Sequence, residues 1–261
     1  MTRITIAPSA VTGALRSVGV KQGSVVLVHP DAIVAAQFPP MPSGQRLDLL
    51  IEAMEAAVGG TGTLVIPAFS YSFTKGETFD IRNSPSMVGL VSERFRTRPD
   101  VWRTADPIFS FACKGPLARE LCAIPVEECF GAGSVFAALH RVNAHIVHLG
   151  CSMNHGGTLV HYVETAHGVD YRYKKVFSGT VVSRDGQTSD CSVVYHVRDL
   201  SRKSGADLRR LQARLAAEEK LRSADVGRLR IIAVTANDLF NTVWKMLDEN
   251  PVSLIEEGAE S

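Results

Sequence analysis

Phosphate-binding and nucleophile fingerprints are missing from this sequence. Neither GxxxxGKS/T nor GxGxxG nor GxSxG occurs, so a P-loop NTPase, a simple dinucleotide-binding enzyme and an α/β-hydrolase each lack their defining turn. Cysteine is sparse and scattered. Cys113, Cys122, Cys129, Cys151 and Cys191 are an odd set with no CxxC pair, which argues against a zinc ribbon and a disulfide framework and suits a reducing cytoplasm. An excess of one charge is lacking too. The 28 Lys and Arg are balanced by 27 Asp and Glu, a formal net charge of +1, so there is no electrostatic footprint for nucleic acid or a membrane surface. No apolar run approaches the length a spanning helix needs. The opening MTRITIAPSAVTG has no apolar core behind a basic region, so no secretory signal is expected.

What is present is the alternation of an α/β protein. Ser9 is placed to cap a helix with Val11, Ala14, Leu15 and Val18 on its apolar face, ending at Gly19. Ser24–Val28 is short, apolar and β-branched, the pattern of a strand buried on both faces. Ser43 opens a second helix, closed by Gly59 and Gly60, and Thr63–Ile66 is the next buried strand, stopped by Pro67. Strand, helix and strand with short links predict a βαβ unit of a parallel sheet. Ser86 is expected to cap a helix bearing Met87, Leu90, Val91 and Phe95, followed by the apolar run Ile108–Ala112. Gly131–Ser134 turns into a helix over Val135–Val142, and Ala144–Leu149 is a further strand.

Beyond Lys175 the pattern changes. Val176–Val182 and Ser192–Val197 read as strands around the hairpin signal Arg184–Gln187. A charged stretch from about Ala206 to Arg222 reads as a solvated helix, Leu229–Val234 as a strand, and Thr235 or Asn237 as the cap of a last helix. The tail after Pro251 is expected to fray. The whole predicts one α/β domain over residues 1–261: a parallel-leaning central sheet with flanking helices, then an antiparallel-leaning portion from about residue 151.

The densest chemistry lies in Gly150–Lys175. On a helix from Thr158 to Gly168, His161 and Glu164 share one face. His161 falls in the first turn, where the helix dipole disfavours a positive imidazole. Glu164 can hold one ring nitrogen and leave the other free to accept a proton. The plain alternative is an ordinary surface i,i+3 pair. His29 and Asp31 stand at the first strand's end and Phe69–Phe73, with Tyr71 and Phe73, beyond the second, on the edge where open α/β sheets bind ligands. Cys151 is a candidate nucleophile or simply a small buried residue. His155, His161 and His167 are spaced six apart, which does not gather a metal on one helical face, and no metal site is expected. Tyr171–Lys175 is a phosphate grip or a basic loop.

The order of these segments resembles the aminoglycoside 3-N-acetyltransferase family. The resemblance runs through Val28–Asp31, Gly59–Ser70, Pro85–Gly89, Arg103–Ala112, Gly131–Ser134, Leu149–Gly150 and Thr158–Glu164, covering about residues 10–180. It implies an acyl-CoA-dependent N-acyltransferase with acetyl-CoA or another acyl-CoA as co-substrate. It also implies His161 as base on an acceptor amine, with Glu164 orienting it. His29, Asp31, Ser70, Arg103, Thr104, Ser110 and Phe111 are the implied coenzyme contacts. Tyr71, Phe73, Asp106, Tyr171, Arg172 and Lys175 are the implied acceptor contacts. Asp31 stands where the family has Ser, and Asp106 where it has His. These departures, with Arg172, Lys174 and Lys175 close to the base, look more like the branch that acylates nucleotide-linked deoxyamino sugars than like the antibiotic-modifying branch. A cytoplasmic monomer or homodimer acting on an amino sugar is expected. The competing classes are a metal-dependent hydrolase built on the His/Glu cluster and a non-catalytic coenzyme- or sugar-binding protein.

Overall fold

Apolar side chains on both faces make the Ser24–Val28 run a central strand, β1 (Val25–Pro30), whose inner four residues are buried because helices cover the sheet on both sides. The computed structural model describes residues 5–256. Helix α1 (Pro8–Ser17) precedes β1, and α2 (Ser43–Val58) carries the chain to β2 (Thr63–Pro67). β1 and β2 pair in parallel, so the expected βαβ unit is present. Next come β3 (Phe79–Asp80), α3 (Leu90–Arg96), β4 (Trp102–Arg103), β5 (Phe111–Lys114), α4 (Ala118–Cys122) and α5 (Val135–Arg141). Strand β6 (His145–Leu149) then returns to lie parallel to β1 on its other side.

The short α6 (Met153–Gly156) and α7 (Leu159–His167) lead into a long hairpin, β7 (Arg172–Val182) and β8 (Thr188–Arg198). Helix α8 (Arg209–Ala217), β9 (Arg222–Val226), β10 (Leu229–Thr235) and α9 (Ala236–Glu249) complete the order. Among the described residues the main sheet has seven strands in the order β4-β5-β2-β1-β6-β10-β9, and a second sheet has three, β3-β7-β8. The three parallel strands are central, and antiparallel strands flank them: β5 and β4 on one side, β10 and β9 on the other. Alternation divides the core. Leu27, Val65 and Ile146 face one apolar cluster, Val26, Val28 and Val147 the other. No helix of the described residues is long and apolar enough to cross a membrane.

Local expectations are corrected where backbone geometry overrides the apparent cap. Helix α1 begins at Pro8 after Ala7, not at a Ser9 cap, with the ring's fixed φ opening the first turn. Helix α3 starts at Leu90 after Gly89 (φ 118°), so Ser86 caps nothing and Met87 and Leu90 are exposed. Thr158 has helical φ and ψ and makes no side-chain cap. Of the apolar run Ile108–Ala112 only Phe111 and Ala112 enter a strand, because Asp106 Oδ1 accepts from the Ile108 and Phe109 amides and holds them in a turn. The charged stretch is helical only over Arg209–Ala217. The segment after Pro251 does not fray through Ile255: Leu254 and Ile255 are buried and Ile255 bridges to Ala206. The rest of the expected frayed tail, beyond Glu256, lies outside the described residues. Two caps do form, Ser134 accepting from Ala137 and Thr235 from Asp238.

Candidate active site

Helix α7 presents His161 and Glu164 on one face, as their spacing requires. Nδ1 of His161 lies 2.7 Å from Glu164 Oε2. Glu164 is fully buried, whereas 21% of the His161 side chain is exposed. The other carboxylate oxygen, Oε1, accepts from the Tyr171 hydroxyl at 2.9 Å. Arg172 Nε stands 2.6 Å from Oε2, a charge contact without an aligned N–H, since that nitrogen makes no hydrogen bond. One turn of helix and the first residues of β7 therefore converge on a single carboxylate.

The electrostatics fix its state. Burial alone would raise the Glu164 carboxyl, but the charges and hydrogen bonds of His161, Arg172 and Tyr171 outweigh it and hold the group below its usual range. Burial lowers the His161 imidazole, Arg172 lowers it further, and Glu164 opposes both without prevailing. A neutral ring donates Nδ1–H to Glu164 and leaves Nε2 with a lone pair, the tautomer a general base needs.

An aromatic wall adjoins the base. Phe130 meets the His161 ring at 5.5 Å and Phe109 at 4.7 Å. Phe109 in turn is edge-on to Tyr195 at 5.0 Å and to Tyr71 at 5.8 Å. Tyr71 also lines a cavity of about 410 Å³ at the carboxyl ends of β1, β2 and β6, together with His29, Asp31, Gly89, Cys151 and Thr158. This is the edge the strand pattern designated.

His29, which lines the cavity, belongs to an unusual pair. His29 and His148 lie opposite each other in the parallel β1–β6 register, and their rings stack at 5.1 Å and 12°. Both are buried, and His29 Nε2 and both His148 ring nitrogens have no hydrogen-bond partner. Burial pushes both well down, His148 to about 4, so the pair is neutral. Gly156 packs on them so closely that a Cβ there would lie 2.6 Å from His29 Cγ. The Cys151 thiol donates to the His29 carbonyl at 3.3 Å and is raised to about 11 by burial and Asp31, which keeps it protonated and a poor nucleophile.

The remaining residues implied by the resemblance fall into different places. Arg103 is buried and bonds the Ala68 and Ser84 carbonyls and the Ser110 hydroxyl. Ser70 donates to Pro107, Thr104 accepts from the Phe111 amide, and Phe111 is core. These five therefore brace the loops beneath the cavity and do not line it. Phe73 is buried against Gly179 and Asp106 holds its own turn. Tyr171 and Arg172, expected to face the acceptor, turn inward to Glu164, because an unpaired buried carboxylate would be costly. Lys175 is exposed, its ammonium 5.1 Å from the Phe177 ring. Among the described residues no three of His, Cys, Asp and Glu gather as metal ligands would.

Sequence reasoning missed His148, Tyr195 and the dependence of Glu164 on Arg172. His148 was detectable, since alternation in β6 puts it on the same sheet face as His29. Tyr195 carried no signal, because the hairpin that delivers it crosses from another sheet.

Fold and site together define a mixed α/β protein with a half-buried histidine on a buried carboxylate near a strand-end cavity. The chain belongs to the aminoglycoside 3-N-acetyltransferase family, whose sequence model matches residues 27–248. The aminoglycoside N(3)-acetyltransferase IV of a Salmonella species is 35% identical over 162 residues, 61% of this chain and 59% of that protein. The aligned part thus spans less than two thirds of that relative's length. The aminoglycoside N(3)-acetyltransferase III of Enterobacter cloacae is 25% identical over 69% of this chain and 68% of its own. The apoenzyme structure of aminoglycoside acetyltransferase AAC(3)-IVa superposes with a TM-score of 0.78 at 25% identity, covering 98% of this chain and 93% of that one. The fold is also shared with AAC-IIIb in its binary complex with CoASH, TM-score 0.78 at 19% identity, over 94% and 97% of the two chains.

Proposed function

We propose that this chain transfers an acetyl group from acetyl-CoA to a primary amine of an aminoglycoside, with His161 as general base. The observation that carries the reading is the His161–Glu164 contact of 2.7 Å, within family membership. An amine with a pKa near that of lysine is mostly protonated at neutral pH and must lose a proton to attack. That first proton is lost to solvent before attack; the free Nε2 of a neutral His161 then takes an N–H proton of the neutral amine as its nitrogen adds to the thioester carbonyl. The cavity holding His29, Asp31 and Cys151 is the coenzyme's place in this reading. Direct transfer in a ternary complex is favoured over an acyl-enzyme, because the Cys151 thiol is held protonated.

The acceptor is assigned to the aminoglycoside class and away from nucleotide-linked sugars. Of the cations that favoured phosphate, Arg172 is engaged by Glu164 and Lys174 by Glu128 at 3.0 Å. A variant of AAC(3)-IVa, 25% identical to this chain, has been solved with a gentamicin. Thiol release from acetyl-CoA, measured against aminoglycosides and nucleotide amino sugars, tests the reading. Turnover with aminoglycosides is expected. Turnover confined to nucleotide sugars would move the acceptor class, and no turnover with any amine would overturn the transferase reading.

A further inference from the structure

Attack on a thioester drives an electron pair onto the carbonyl oxygen, and a site for that step needs a donor aimed at it. Tyr71 links the two parts of the site. It lines the strand-end cavity and also forms one end of the aromatic wall that reaches His161 through Phe109 and Phe130. A thioester delivered from that cavity to Nε2 of His161 passes along this wall. Among the described residues no protein group hydrogen-bonds the Tyr71 hydroxyl, although the residue is held firmly. Its amide bonds the Ile108 carbonyl, its carbonyl accepts from the Thr74 hydroxyl, and its ring is edge-on to Phe69 and Phe109.

The backbone adds a second observation. Tyr71 has φ of +56°, one of three non-glycine residues in the left-handed region among those described. Such a conformation is strained for a bulky residue and persists where surrounding structure over-determines it. Here the loop leaving β2 is held by Ser70 and Ser72 bonding to Pro107, and the strained residue points its ring at the wall. Burial raises the phenol to about 12, so it remains an O–H donor across the working range.

We infer that the Tyr71 hydroxyl donates to the thioester carbonyl oxygen and stabilises the oxyanion during acyl transfer. The inference rests on the acyltransferase reading above. The acceptor nitrogen forms its bond to the carbonyl carbon while His161 Nε2 removes its proton. The carbonyl electron pair moves onto oxygen, where Tyr71 O–H binds it. Collapse then restores the carbonyl, breaks the C–S bond and sends the electron pair to sulfur, and the coenzyme thiolate takes up the proton from His161. Tyr195, across Phe109, offers the other phenol of the wall, but it is not among the cavity's lining residues.

The test compares Tyr71→Phe, Tyr195→Phe and the parent by thiol release, with coenzyme affinity by calorimetry and thermal stability recorded for each. Tyr71→Phe keeps the ring and removes only the donor. Its kcat is expected to fall about a hundredfold, with coenzyme Kd and Tm unchanged and with the acid limb of the pH profile, set by His161, in place. A kcat within twofold of the parent, or a loss of that size in Tyr195→Phe instead, would overturn the assignment. A loss of kcat accompanied by equal loss of coenzyme binding would also overturn it, since the hydroxyl would then be a binding group. If the parent itself releases no thiol with any amine, the reading beneath the inference fails rather than the role of Tyr71.

Discussion

Glu164 Oε2 lies 2.7 Å from His161 Nδ1 and 2.6 Å from Arg172 Nε, so one buried oxygen serves the proposed base and a structural cation at once. The consequence is asymmetric. Glu164→Ala removes the partner of both and leaves the Arg172 charge buried, which costs roughly 3–5 kcal/mol. Glu164→Gln keeps the shape but loses the charge that favours the working tautomer. The alanine variant is expected to lose folded stability in urea titrations, and the glutamine variant to stay folded with kcat down by tenfold or more. A fully active glutamine variant would show that orientation by the carboxylate is dispensable.

His161→Ala deletes the proposed base and leaves the lining of the strand-end cavity intact. General-base removal typically costs about 10²–10⁴ in rate, and no residue lining the cavity is changed. The expected result is that fall in kcat with coenzyme Kd near the parent's, measured by thiol release and calorimetry. Near-parental turnover would remove His161 from the mechanism.

Arg172 also helps to lower the pKa of the proposed base. Burial first, then Arg172, lowers the His161 pKa, and the base is active only when neutral. Activity should therefore persist below the ordinary histidine pKa and decline as pH falls through the lowered value. Arg172→Met removes the cation, so the His161 pKa rises and the acid limb of kcat/KM moves to higher pH. The sign is the test. A shift to lower pH, or none, would mean that Arg172 does not govern the base.

Much of this was legible in the sequence because periodicity and motif spacing are local. SVVLV and TLVI announced buried parallel strands, and a helix through Thr158–His167 placed His161 beside Glu164 before any coordinates. What was hidden depends on long-range placement. Arg172 and Tyr171 sit in a run that reads as a basic, solvated loop, and only the path of β7 past α7 turns them inward. The same holds for Arg103, which the family resemblance implied as a coenzyme contact. Its guanidinium instead bonds carbonyls from two loops that sequence order separates. Ser9 and Ser86 misled for a different reason: a capping side chain is informative only where the backbone φ and ψ permit the cap, and Pro8 and Gly89 decided those boundaries first. Thr158 does stand at the N-cap position, but with helical φ and ψ its side chain makes no cap.

The stacked His29–His148 pair predicts how stability depends on pH. Burial holds His148 at about 4, against about 6.5 in an unfolded chain, and His29 is lowered in the same direction. Between those values the unfolded state takes up protons that the native state refuses. The contribution of the pair is thus constant above about pH 6.5 and lost as pH falls toward 4, at about 1.4 kcal/mol per pH unit for each histidine. His148→Phe preserves the stacked ring and removes one refused proton as well as two unpartnered nitrogens. Urea titrations at pH 7 and pH 5 should show the parent losing more stability than His148→Phe between the two conditions. Equal losses would mean that His148 is protonated in the folded protein, with a partner that the ring geometry does not provide.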